Sequence, residues 1–151
     1  EDISTMERFH RWIGGFFMVE EKPLVGFGPG NFYDFYKPYT VNSFRTYVSE
    51  NPEQSGIHNY YLMTAVEQGI PGLLLFLMLC CYVLMKGQYL YHQTPSKFHR
   101  THILAALFSF IVICAVLIIN DLIETDKVGS FFFISLALLV NLDLHNGDEA
   151  S

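Results

Sequence analysis

The sequence holds 151 residues, enough for one ordinary domain; 51% of it is apolar and 16% is charged. That charge content lies below the roughly 25% usual in soluble domains, and the apolar residues crowd after residue 69, a pattern that points to a membrane protein. The net charge of −6, with 9 Lys and Arg in no run, leaves no basic footprint and excludes a nucleic-acid partner.

In chain order, Ser4-x-x-Glu7 resembles a capping box. A helical period runs from Met6 to about Glu20, with Phe9, Trp12, Ile13, Phe16 and Phe17 on one apolar face. Gly14-Gly15 weakens such a helix unless a neighbour packs closely there. Pro23 ends it. A glycine-rich turn, Gly26-Phe27-Gly28-Pro29-Gly30, comes next, and Asn31 to Val48 is dense in aromatics, Tyr33, Tyr36, Tyr39 and Tyr47 among them. Ser49 to Gly56 is a loop by composition. A helix is expected from near Ile57 to Gln68, where Gly69-Ile70-Pro71-Gly72 bends it into the first of three apolar segments.

Gln68 to Met85 and Ile103 to Asn120 contain no charge, and Val128 to Leu142 runs until Asp143 breaks it. A helix rises about 1.5 Å per residue, so about 20 residues cross a hydrocarbon core. The first two segments reach that length with their flanks, and the third is shorter. Neither of the first two carries the polar stripe of a surface helix. The fold class expected is therefore all-α: a polytopic helical membrane protein fragment. An aromatic-rich loop over residues 1–69 precedes three transmembrane helices at about 70–90, 102–120 and 128–143 and a short tail. The 3 cysteines, Cys80, Cys81 and Cys114, lie in the apolar segments and read as small hydrophobes. The chain opens on Glu1, and further spans are expected upstream.

Lys86, Lys97 and Arg100 mark the first connector, whereas Asp121, Glu124 and Asp126 mark the second. The positive-inside rule puts the first connector in the cytoplasm and residues 1–69 on the outer side.

Several residues combine in ways that suit chemistry. His58, expected in the first turn of a helix just before a span, suits a general base: the helix dipole disfavours imidazolium there, and a base must be neutral. A polar residue at the water interface fits the same position. Arg8 and Arg11 share a helix face and suit bidentate binding of a diphosphate; a solvated face with Glu7 paired to Arg11 fits equally. Gly26, Gly28 and Gly30 suit either backbone N–H groups turned on an anion or a structural turn. They lack the Lys and Ser/Thr of a P-loop. Tyr33, Tyr36, Tyr39 and Tyr47 suit sugar stacking or the lipid headgroup level. Glu67 falls on the opposite side of the helix from His58, so the two form no simple dyad. No metal-ligand spacing and no catalytic triad can be assigned.

Taken as an ordered set, these residues resemble a known family. His58-Asn59, then residues 60–68, then Gly69-Ile70-Pro71-Gly72 resembles the His-Asn-x9-Gly-x-x-Gly signature of the O-antigen ligase family. Arg8-x-x-x-Trp12 and Pro23-Leu24-Val25-Gly26-Phe27-Gly28-Pro29-Gly30-Asn31-Phe32 match its approach, and the resemblance covers about residues 5–85. It implies a bacterial inner-membrane, multi-pass glycosyltransferase with about a dozen spans, of which this chain would be the outer-face loop and the last three. The donor implied is a glycan on a polyprenyl diphosphate, and the acceptor a hydroxyl of a lipid, glycan or protein. No nucleotide sugar, cofactor or required metal is implied. By the same resemblance His58 activates the acceptor hydroxyl and Arg8 binds the lipid diphosphate with help from Arg11. Trp12, Gly26, Gly28, Gly30, Asn59, Glu67, Gly69 and Gly72 support the loop. A further arginine is implied upstream, without which the chain alone would be inactive.

The chemistry suits these residues independently: a diphosphate leaving group gathers charge that fixed cations stabilise. The alternative reading is a membrane transporter on the same scaffold, similar to a bicarbonate carrier. Transport calls for ionisable groups within the spans, whereas the polar residues here concentrate in the loop.

Overall fold

The computed structural model describes residues 3–39 and 56–149. Tyr47 and the loop over residues 49–55 lie outside the described residues. Every regular element among those described is helical: α1 (Ile3–Glu21), α2 (Phe32–Tyr36), α3 (Tyr60–Gln93), α4 (Lys97–Val116) and α5 (Asp126–Glu149), with 3₁₀ turns at Lys37–Tyr39 and Leu122–Glu124. The fold is all-α, and three helices, Tyr60–Gln93, Lys97–Val116 and Lys127–Leu144, are long and apolar enough to cross a membrane.

Two compact units emerge. One comprises Glu1–Phe76 with Leu117–Asp121, the other Leu77–Val116 with Leu122–Ser151. The core of the first unit gathers Met18, Phe27, Phe32, Tyr36, Ile57, Leu62, Met63 and Val66, with Trp12, Val19 and Tyr39 packed against it.

The helix α1 begins at Ile3, so Ser4 lies inside its first turn rather than ahead of it. Its packed face is also not the aromatic one. Arg11, Gly14, Gly15 and Met18 are buried, whereas Phe9, Ile13, Phe16 and Phe17 are exposed. The glycine pair is where neighbours approach: a Cβ on Gly14 would meet the Tyr36 ring at 2.7 Å, and one on Gly15 would meet Ile57 and Leu62 at 3.2 Å. The helical cost of two glycines is thus offset by close packing.

The helix expected from Ile57 starts three residues later, at Tyr60. Asn59 takes the capping position, its Oδ1 accepting the Leu62 N–H at 3.0 Å as an N-cap side chain does. The Tyr60 N–H donates to the Leu117 and Asn120 carbonyls at 2.9 and 3.2 Å.

Gly69 breaks α3 with φ 73° and ψ 179°, and Pro71 withholds an N–H just beyond. Such a bend orphans carbonyls on one side and N–H groups on the other. The glycine-rich turn satisfies them. The Phe27 and Gly28 N–H groups donate to the Val66 and Glu67 carbonyls at 2.9 and 2.8 Å, and the Ile70 N–H donates to Pro23 O at 2.7 Å. Phe76 then returns to within 5.2 Å of the Tyr60 ring and 5.7 Å of the Tyr61 ring.

In the second unit α4 and α5 pack together, with the Phe110 and Phe132 rings stacked at 5.2 Å, and Gly87 on α3 admits the Leu107 side chain. Asp143 does not end α5: the helix runs through it, and its carboxylate pairs with Lys86 at 3.0 Å. The second apolar segment is helical only to Val116, short of the expected residue 120. The residues just beyond supply the carbonyls that Tyr60 uses.

Candidate functional site

The residues ahead of His58 are tied to α1 by two side chains one position apart. Arg11 Nη1 donates to the Gly56 carbonyl at 3.1 Å, and Trp12 Nε1 donates to the Ile57 carbonyl at 3.0 Å. Arg11 is only 5% exposed, with Glu7 at 3.8 Å along the same helix. Its guanidinium is thus committed to holding the strand of chain that leads into His58.

His58 itself sits at φ 56°, the one non-glycine residue with a left-handed backbone among those described. Histidine is among the residue types that tolerate this region, and such conformations cluster where the surroundings over-determine them. Here the surroundings are the Arg11 and Trp12 ties on one side and the Asn59 cap on the other. The result aims the imidazole toward Asp121, with Nδ1 3.7 Å from Oδ1. That spacing is an ion-pair distance, longer than a hydrogen bond.

Four influences set the charge on His58. Partial burial lowers its pKa from the ordinary 6.5; Asp121 raises it, and the Arg11 and Arg8 charges lower it again, with a net shift downward. The imidazole is therefore mostly neutral at pH 7, with the Asp121 carboxylate beside Nδ1. The dipole argument for a histidine inside the first helical turn gives way to burial and to two guanidinium charges.

Arg8 differs from Arg11. It is half-buried and, with Phe9, Trp12 and Ile119, lines a cavity of about 150 Å³. A guanidinium beside aromatic walls suits an anionic group with an apolar tail. Arg8, Arg11, Trp12 and His58 thus form one neighbourhood, completed by Asp121.

The other residues singled out in the sequence form a separate group at the bend of α3. Gly26 (φ 69°) and Gly69 (φ 73°) sit where a Cβ would meet backbone, Glu67 C and O at 2.5 Å in the first case and Leu24 O at 2.6 Å in the second. Gly28 (φ 93°) lies over the Asn31 side chain, and a Cβ on Gly72 would collide with Gln68. Gly30 (φ 75°) has open space around it. Glu67, 4% exposed, accepts the Phe32 N–H at 3.4 Å and so anchors the start of α2. The Gly26 N–H donates to Lys22 O at the end of α1, and the Phe27 and Gly28 N–H groups donate to the bend, so these N–H groups are spent within the fold rather than on an anion. Asn59 caps α3.

Asp121, which the sequence marks only as a charge of the second connector, is the member of this neighbourhood to which the sequence assigns no site role. It sits beyond the second apolar segment, where an acidic residue reads equally as an interface charge, and no local spacing joins it to His58.

Comparison with curated proteins gives no match, and comparison with solved structures gives none. A family model described as O-antigen ligase matches residues 1–77, the span that holds Arg8, the glycine-rich turn, His58 and the bend of α3. With three helices able to cross a membrane, this chain is a multi-pass membrane protein that belongs to the O-antigen ligase family.

Proposed function

We propose that this chain carries the catalytic loop of a metal-independent membrane glycosyltransferase of the ligase or polymerase type, working on the outer face of the bacterial inner membrane. The donor is a glycan on a polyprenyl diphosphate, and the acceptor is a hydroxyl of a lipid, glycan or protein in cell-surface polysaccharide synthesis. The observation that carries this reading is a backbone-constrained His58 with the Asp121 carboxylate 3.7 Å from Nδ1 and the Arg11 and Arg8 charges acting on the imidazole.

The reaction balances on these groups. His58 Nε2 takes the proton of the acceptor hydroxyl while that oxygen bonds to the anomeric carbon from the face opposite the diphosphate. The bond from carbon to diphosphate oxygen breaks, its electron pair stays on the diphosphate, and the anomeric centre inverts. Asp121 stabilises the imidazolium that forms, in the way a buried carboxylate supports a catalytic histidine. Arg8 meets the charge that develops on the leaving diphosphate, and Arg11 holds the approach to His58.

In the transporter reading, the spans would carry ionisable groups along a path. Lys86 and Asp143 lie just beyond the ends of their uncharged segments and pair with each other at 3.0 Å, which leaves those segments without charge and favours the enzyme.

The test is His58→Ala in the full-length protein in its native host at matched protein levels. A general base contributes on the order of 10²–10⁴-fold, so surface glycan should be lost while the lipid-linked precursor accumulates. Unchanged surface glycan would overturn the assignment.

A further inference from the structure

The packed side of α1 is the Arg11, Gly14, Gly15 and Met18 side, and the opposite side carries Met6, Phe9, Ile13, Phe16 and Phe17, all of them exposed. Directly after this helix, Leu24 and Val25 are 73% and 79% exposed, the largest values among the exposed large apolar residues described. Their position is not free. The bond from the Ile70 N–H to Pro23 O and the bonds from Phe27 and Gly28 to the carbonyls before the bend hold this tip against the first turn after the bend of α3.

That turn opens the first spanning segment. From Ile70 to Gln93 a helix is about 35 Å long at 1.5 Å per residue, more than the roughly 30 Å of a hydrocarbon core. A span of that length reaches the headgroup boundary at its ends, and the Leu24–Val25 tip is bonded to the first of them through Pro23 O. We propose that this tip and the outward face of α1 enter the lipid interface of the bilayer, making α1 an in-plane amphipathic anchor for the His58 loop. Helices of this kind bury their apolar face about 5–10 Å into the boundary between headgroups and acyl chains. Glu20, exposed at the end of the same outward face, sets the limit of burial, so the helix lies in the boundary and not beneath it. This anchoring rests on the apolar face and the Pro23–Ile70 bond and holds whatever the transferase substrates are.

Nitroxide labels at Phe16→Cys and, separately, Val25→Cys test it. The full-length protein, with its native cysteines changed to serine, is placed in vesicles of phosphatidylethanolamine and phosphatidylglycerol. Both positions are exposed, so the label leaves the packing intact, and either one decides alone if the other variant folds poorly. The expected result is collision with oxygen several-fold above collision with an aqueous nickel chelate. Dominant collision with the nickel chelate would mean water covers the face. Suppression of both would mean protein covers it. Either outcome overturns the proposal.

Discussion

His58 Nδ1 lies 3.7 Å from Asp121 Oδ1, although α3 and α4 separate the two residues in the chain. The link is structural: the Tyr60 N–H, two residues after His58, is bonded to the carbonyls of Leu117 and Asn120. The start of α3 and the turn after α4 are thereby clamped, and the carboxylate arrives beside the imidazole.

Asp121→Asn keeps the shape and removes the charge that stabilises imidazolium. An ion pair at this spacing contributes about 1 kcal/mol, so transfer should fall roughly fivefold at unchanged protein level. A rate assay on reconstituted enzyme with the asparagine variant measures this, and a rate within twofold of wild type would remove Asp121 from the mechanism.

The pH profile offers a second check. Burial and the Arg8 and Arg11 charges hold the His58 pKa below its ordinary 6.5, so the base form persists on the acidic side of that value. Transfer should rise with pH through this lowered pKa and then level off. Asp121→Asn removes the raising influence and should move the acidic limb to still lower pH. For stability the sign is the same: a histidine with a depressed folded pKa costs nothing above 6.5, and its penalty grows as pH falls from there through the folded pKa.

The two arginines should separate. Arg11→Ala leaves the Gly56 carbonyl and Glu7 without the buried guanidinium, a loss of about 1–3 kcal/mol, and should lower thermal stability in detergent. Arg8→Ala opens the cavity it lines and should leave stability within about 0.5 kcal/mol while raising the KM for the lipid-linked donor. Melting curves beside donor titrations distinguish the two effects.

Glycines with similar backbone angles should respond differently. Gly69→Ala combines a left-handed backbone, about 1–2 kcal/mol, with a Cβ held 2.6 Å from Leu24 O, and should abolish stable insertion. Gly30→Ala carries the same backbone cost but meets no neighbour, so it should insert and retain activity. Protease resistance of membrane extracts reports both.

The capping role of Asn59 is testable apart from chemistry. Asn59→Ala should cost about 1 kcal/mol and Asn59→Ser much less, since serine also offers an oxygen to the Leu62 N–H. Unfolding midpoints for the pair decide it.

Much of this was legible in the linear chain because it depends on local runs. Three apolar segments announce spanning helices, since lipid leaves the backbone no other partner than its own helix. The ordered set of Arg8, the glycine-rich turn, His58-Asn59 and Gly69 announces the family. The bend at Gly69 follows from Gly and Pro within four residues. What the linear chain could not carry was partnership. The aromatic stripe of α1 looks like a core face, yet the core takes the glycine face, because only glycines let Tyr36, Ile57 and Leu62 approach so closely. The glycine-rich turn suits an anion until the orphaned groups of the bend claim its N–H groups. Asp121 reads as an interface charge until Tyr60 is bonded to the turn beside it. Helix periods and apolar lengths are properties of neighbouring residues, whereas hydrogen-bond satisfaction and close packing depend on which distant residues meet, and only the tertiary structure decides that.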